Sequence, residues 1–162
     1  MSSTITLPDF YSSGVNSSFY WLTDMLSLKP KTSSTTVHYK PEISRHAKLS
    51  ILKIESFKIL ENNWDSFGAE SPSQNAIKNA KDFIRAVDKL GMIIYFTAPG
   101  RNGDVLVELK FSSQISVEVY FNKDNIDELL IFKENECIFE GPLKENFNQL
   151  LKHFNESKSN FN

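Results

Sequence analysis

Residues 105–121, VLVELKFSSQISVEVYF, decide the fold of this chain. Apolar side chains alternate with polar or smaller ones on both sides of the central Ser-Ser-Gln, which is typical of two half-buried strands joined by a short turn. Further strand-like runs lie on either side of this pair, over residues 92–97, 129–132 and 137–139. The chain therefore predicts an antiparallel β-meander of four to five strands.

Predicted helices flank the meander at both ends. Residues 43–62 hold no Gly or Pro and space their apolar side chains three and four apart, which predicts a first helix. Residues 72–90 predict a second helix, opened by a capping box at 71–74 (SPSQ) and ended by Gly91. A third helix is predicted after residues 141–142. This order predicts an α+β fold in which helices cover one face of the sheet.

Length and charge limit the class of protein. A domain usually takes about 100–200 residues, so a chain of 162 residues has room for one compact domain with appendages. The 18 Lys and Arg residues against 20 Asp and Glu leave a net charge of −2, which disfavours a general binder of nucleic acid.

The cellular location is predicted from what the sequence lacks. Cys137 is the single cysteine and forms no internal disulfide, which is typical of a reducing compartment. No run approaches the roughly 20 apolar residues of a membrane-spanning helix. The first residues also lack the basic and continuous apolar segments of a secretory signal. We therefore expect a cytoplasmic protein that does not bind membranes.

Composition divides the chain into three parts. Residues 1–41 are rich in Ser and Thr and carry an aromatic cluster that includes Phe19, Tyr20 and Trp21, so we predict an arm that docks on its own domain or on a partner. Residues 42–155 are predicted to form a single α+β domain, and residues 156–162 a disordered tail.

The first predicted helix has a second apolar stripe, which includes Leu49, Leu52 and Leu60 and lies away from its core face. Monomers rarely expose a contiguous apolar patch. We therefore predict that the aromatic arm, another protein or a second copy of the chain covers this stripe, the last as a homodimer.

The connector between the first two helices carries the motif Trp64-Asp65-Ser66-Phe67-Gly68-Ala69, followed by Ser71-Pro72. We predict structural roles for Trp64, Asp65, Gly68, Ala69, Ser71 and Pro72. The Trp64 ring is expected to pack across the helix–helix corner. The Asp65 carboxylate is expected to accept hydrogen bonds from loop amides or from the next helix's N-terminus.

This motif resembles that of a group of small, largely uncharacterised bacterial and phage proteins with a Trp-Asp-Gly-Tyr-Gly-Ala type motif. The resemblance covers about residues 50–120 and includes a later turn over 99–104 that leads into an apolar strand. Ser66 stands where the group usually has Gly, and Phe67 where Tyr is common. The resemblance implies an accessory component of mobile or defence-associated gene sets.

An alternative reading is a metal-dependent enzyme that processes nucleic acid. Glu108 and Lys110 form a Glu-x-Lys on one face of a strand, and Glu118 lies on the neighbouring strand. Asp104 lies about 13 Å from Glu108 along an extended chain, too far to share one metal ion. Alternating Glu and Lys are also typical of any half-exposed strand.

The remaining candidates support no metal or cofactor site, and nothing in the sequence marks Cys137 as a nucleophile beside a histidine. His38, His46 and His153 are far apart in sequence and lack metal-ligand spacing, so no metal or cofactor is predicted. The basic stripe of the second helix, Lys78, Lys81, Arg85 and Lys89, is partly neutralised by Asp82 and Asp88, which is typical of a solvated face. We therefore expect a non-enzymatic protein-interaction module, such as an inhibitor, an immunity-type protein or an accessory subunit in a bacterial or phage defence-related setting.

Overall fold

The computed structural model describes residues 43–159, and it confirms the predicted α+β fold. Helices α1 (Arg45–Ser56) and α2 (Gln74–Lys89) precede a five-stranded antiparallel sheet, and helix α3 (Leu143–Ser159) follows it. A short 3₁₀ helix, Phe57–Ile59, continues α1. The strands are β1 (Ile94–Pro99), β2 (Val105–Lys110), β3 (Ile115–Phe121), β4 (Glu128–Lys133) and β5 (Glu136–Pro142).

The sheet has the order β1-β2-β3-β4-β5, so each strand pairs with its neighbours in sequence. Alternate side chains of the central strands are buried beneath the helices, as period-two patterning requires. Two pairs of aromatic rings show this packing. The ring centres of Phe83 in α2 and Phe121 in β3 are 5.3 Å apart, and those of Phe154 in α3 and Phe111 are 5.1 Å apart. The strand residues of this core are Ile94, Val105, Val107, Leu109, Val117, Val119, Phe121, Leu129 and Ile131.

Helix α1 is shorter than the predicted helix over 43–62. Ser44 is its N-cap and accepts a hydrogen bond from the Ala47 amide at 3.2 Å. The same residue donates its own amide to Asp88 of α2 at 2.9 Å, which joins the two helices at this end. Ala47 and Ile54 are buried one above the other on the core face.

Helix α2 begins later than the capping box predicts. Its N-cap is Ser73, whose hydroxyl accepts from the Ala76 amide at 3.0 Å, and the helix starts at Gln74. The prediction that Ser71 caps the helix with Pro72 at its first position is therefore wrong. The Ser71 amide instead donates to the Asn62 side chain, and the chain is still extended at Ser73, with φ −70° and ψ 150°. Gly91 follows the helix with a φ of 76°, as predicted for its end.

Helix α3 runs to Ser159, so the predicted disordered tail is wrong for residues 156–159. Phe154 and Ser157 are buried near this end, which explains why the helix continues past 155. The predicted arm, with Phe19, Tyr20 and Trp21, lies outside the described residues. None of the helices within residues 43–159 is long and apolar enough to cross a membrane.

Candidate protein-interaction surface

The motif loop, residues 63–69, is closed by its own hydrogen bonds. The Asn63 amide donates to the Ala69 carbonyl at 2.6 Å, and the Gly68 amide donates to the Asn63 side chain at 2.8 Å. Asp65 Oδ1 accepts from the amides of Phe67 and Ala69 at 2.8 and 3.0 Å. The loop is therefore held by its backbone amides and two short polar side chains, as in an Asx turn.

Arg101 fastens the motif loop to the turn between β1 and β2. Its Nε lies 3.0 Å from Asp65 Oδ2, and its Nη2 donates to the Phe67 carbonyl at 2.7 Å. Burial acts to raise the pKa of Asp65, but the loop amides and Arg101 together hold it below its usual value. The carboxylate is thus a structural acceptor with its oxygens engaged on both sides.

Backbone contacts continue this junction toward α2. The Glu70 amide donates to the Arg101 carbonyl, and the Ser73 amide donates to the Gly103 carbonyl, both at 2.8 Å. Gly103 has a φ of 76°, and a Cβ there would lie 3.2 Å from the Ser71 carbonyl oxygen. Close approach of the two loops therefore requires glycine at this position.

The motif residues occupy structural positions around this junction. Ala69 is buried, and Trp64 is half-buried with its indole N–H donating to the Glu70 carbonyl at 3.0 Å. Gly68 takes a φ of 88°, which favours glycine. Phe67 is different, because its ring is 81% exposed at the tip of the loop.

Two of the predicted interaction residues form an exposed apolar face on α1. Leu49 is 56% exposed and Leu52 is 65% exposed, and their spacing places them side by side, opposite the buried Ala47 and Ile54. Leu60 does not belong to this face: it is half-buried and packs against the core, because the helix ends before it. The prediction of one stripe that runs from Leu49 to Leu60 is therefore wrong at its end.

Strand β1 lies at the edge of the sheet beside α1. Within residues 43–159 it pairs only with β2, so one side of its backbone has no partner strand there. Its register shifts between Ile94 and Phe96, and both Tyr95 and Phe96 are exposed. An edge strand with exposed apolar side chains is a site where other polypeptides pair.

Lys53 joins the helix face to the strand edge. It lies one turn after Leu49 on α1, and its Nζ is 4.5 Å from the centre of the Phe96 ring. Lys110 of β2 lies over Tyr95 in the same way, at 5.0 Å. We call this area the α1–β1 surface and define it as Arg45, Leu49, Leu52, Lys53, Tyr95 and Phe96; the Lys53–Phe96 contact joins its helix and strand parts.

The strand and lysine parts of this surface were not predicted from the sequence. The sequence feature that could have indicated this edge strand is the run Ile93-Ile94-Tyr95-Phe96, because it lacks the polar alternation of a half-exposed central strand. Such a run is equally typical of a buried strand, so only the position of β1 at the sheet edge distinguishes the two.

The carboxylates of the alternative enzyme hypothesis lie on the sheet face opposite the helices. Glu108 and Glu118 are direct partners across β2 and β3, and the Tyr120 hydroxyl donates to Glu118 at 2.7 Å. Burial and then the facing Glu118 raise the pKa of Glu108, while Lys110 opposes them. Burial and the bond to Glu118 raise the pKa of Tyr120 to about 12.

The Asp104 carboxylate accepts from the Asn102 amide at 3.0 Å within the β1–β2 turn. Among residues 43–159, no group of three or more His, Cys, Asp or Glu side chains could hold a metal ion.

The basic stripe of α2 is engaged in ion pairs. Lys78 and Arg85 both contact Asp82, at 3.5 and 2.9 Å, and Lys81 pairs with Glu55 of α1. Hydrogen bonds from Lys58 and Lys81 lower the pKa of Glu55 to about 2. Of these pairs, Lys81–Glu55 joins α2 to α1, and the two pairs to Asp82 lie within α2.

No family model, curated protein or solved structure matches this chain.

Proposed function

We propose that this protein is a protein-interaction module and that the α1–β1 surface is its contact area. The observation that carries the proposal is the exposure of Leu49 and Leu52 beside an edge strand that itself exposes Tyr95 and Phe96. Large apolar side chains gathered in one area are a mark of protein interfaces, whereas single exposed ones are ordinary. Aromatic residues are also enriched at interface centres.

The architecture supports this role, because the surface sits on rigid elements. Helix α1 packs against both α2 and β1, and its cap joins it to Asp88. A surface on a fixed helix and strand loses little conformational freedom when a partner binds, which favours affinity.

The setting we propose is that of an inhibitor, an immunity-type protein or an accessory subunit of a bacterial or phage defence-related gene set. Support comes from the resemblance of the motif at 64–69 to the Trp-Asp-Gly-Tyr-Gly-Ala motif of such proteins. Ser66, where that group has Gly, takes a φ of 64°, a conformation that glycine adopts without strain.

The test is capture of partners by the tagged full chain after cross-linking in the native host, followed by direct binding of the purified partner. Leu49→Ser with Leu52→Ser removes the apolar face of α1. Ile126→Ser is the matched control, because Ile126 is 64% exposed but lies between β3 and β4.

We expect the wild type and the control to bind the same partner, and the double variant to lose it at an unchanged melting temperature. A partner that binds all three proteins equally would place the contact area elsewhere on the molecule.

A further inference from the structure

We infer that the partner of the α1–β1 surface is a polypeptide segment that carries both carboxylates and apolar side chains and lies extended along β1. This inference rests on the proposed function and adds the chemistry of the partner. Three features of the surface carry it: two cations that form no ion pair among residues 43–159, an apolar centre and a strand edge that has no partner strand within those residues.

The positive charge comes from Arg45 and Lys53, which are both exposed. Among residues 43–159, no carboxylate forms an ion pair with either of them. Glu55 is the acid of α1 and is already held by Lys58 and Lys81 on the side of the helix that faces α2. The outward face of α1 therefore presents cations beside its leucines.

The apolar centre and the strand edge determine which shape of partner fits beside these cations. Leu49 lies between Arg45 and Lys53 at helical spacing, and the Lys53 ammonium reaches Phe96 of the edge strand. An extended segment that adds to an edge strand gains main-chain hydrogen bonds, and its alternate side chains reach one neighbouring surface. On this molecule that neighbouring surface is α1.

Charge favours an acidic partner over two alternatives that the chain itself could supply, a second copy and its own segment 1–42. A two-fold homodimer through the same surface would bring Arg45 and Lys53 of both copies together, and like charges across an interface oppose association. The segment 1–42 carries Lys29, Lys31 and Lys40 against Asp9, Asp24 and Glu42, so it has no surplus of acid. A separate acidic partner fits the surface better than either.

The experiment screens the full chain against an array of random synthetic dodecapeptides, in parallel with two variants. One variant is Arg45→Glu with Lys53→Glu, and the other is Leu49→Ser with Leu52→Ser. We expect wild-type binders to be rich in Asp and Glu and in large apolar residues. The charge-reversed variant should bind an acidic peptide at least about tenfold more weakly, and prefer basic peptides instead.

Fluorescence anisotropy on one selected peptide then tests the mechanism. Binding should weaken as salt rises, because exposed ion pairs are screened. Amide hydrogen exchange in β1 should slow on binding, since an added strand protects the edge. Neutral or basic wild-type binders that still require Leu49 and Leu52 would overturn this inference and leave the proposed function standing.

Other results contradict the inference in distinct ways. Binders that ignore both variants would overturn it together with the proposed function. A stable dimer in sedimentation that Leu52→Glu dissolves would assign the surface to a second copy. Binding of anionic vesicles or DNA that charge reversal abolishes, with no acidic peptides retained, would assign it to a phosphate-bearing surface.

Discussion

Arg101 Nε lies 3.0 Å from Asp65 Oδ2 and thereby ties the connector after α1 to the turn between β1 and β2. The same carboxyl group accepts two amides of its own loop through its other oxygen. One side chain thus closes the motif loop and anchors it to the sheet. The motif is a structural joint between the connector that precedes α2 and the turn between β1 and β2.

Asp65→Ala is expected to lower the melting temperature more than Asp65→Asn, because Asn keeps an oxygen for the loop amides and loses only the charge. The folded pKa of Asp65 lies below 3.8, so its ionised form stabilises the fold above that pH. This contribution is lost as the pH falls through the folded pKa. Melting temperatures of wild type and Asp65→Asn, measured from neutral to acid pH, give this contribution. If the difference between the two melting temperatures does not shrink in acid, the ion pair is not its cause.

Ser66→Gly is expected to stabilise the protein by about 0.5 kcal/mol. A non-glycine residue in the left-handed region costs about 1–2 kcal/mol, and part of that gain is offset by the greater freedom of glycine in the unfolded chain. Ser66 has a φ of 64°. Ser66→Val is the opposing variant and should destabilise. Equal unfolding free energies for all three proteins in urea would show that the backbone at 66 is not strained.

Ser73→Ala is expected to cost about 0.5–2 kcal/mol, because the Ala76 amide loses its capping acceptor. Ser73→Asp should be tolerated, since a carboxylate accepts the same bond and suits a helix N-terminus. Ser71→Ala is the control and should change the unfolding free energy by less than about 0.5 kcal/mol. If urea denaturation shows a larger loss of unfolding free energy for Ser71→Ala than for Ser73→Ala, Ser71 would be the N-cap.

Asp127→Asn is expected to stabilise the protein at pH 7 by about 1–3 kcal/mol. Burial raises the pKa of Asp127 from 3.8 to about 6, while bonds from Asn122 and Asn79 act in the other direction. The folded protein therefore holds this proton more tightly than the unfolded chain, and stability is lost as the pH rises from 3.8 through about 6. Asn keeps an acceptor for the Asn122 amide, which lies 3.2 Å from Oδ1.

The check is the difference in unfolding free energy between Asp127→Asn and wild type as a function of pH. It should be largest at pH 7 and shrink as the pH falls below about 6. A variant that is less stable than wild type at pH 7 would mean that the hydrogen bonds to the carboxylate outweigh its burial.

Leu52→Glu is expected to leave the unfolding free energy within about 0.5 kcal/mol of wild type, because the side chain is 65% exposed. Ile54→Ala, two residues further along α1, should cost about 2–5 kcal/mol because Ile54 is fully buried. Calorimetry on the two variants distinguishes a contact surface from a core face. A Leu52→Glu protein that unfolds as easily as Ile54→Ala would place Leu52 in the core.

The sequence by itself determined the elements whose signal is local. Alternation over 105–121 predicted two strands of the meander, and helical spacing predicted α2 and its end at Gly91. These patterns are readable because each face of a strand or helix meets one environment along its whole length. The spacing on α1 also predicted that Leu49 and Leu52 lie away from the core face, and both are exposed.

Only the tertiary structure decided what those outward residues adjoin. The pairing of Arg101 with Asp65, the reach of Lys53 to Phe96 and the edge position of β1 all join segments that are distant in sequence. Periodicity carries no information on such pairs, because it records whether a side chain is buried and not what lies beside it. The same limit explains the misplaced cap: residues 71 and 73 both carry a serine hydroxyl, and the one that caps α2 is Ser73, whose amide also donates to the Gly103 carbonyl.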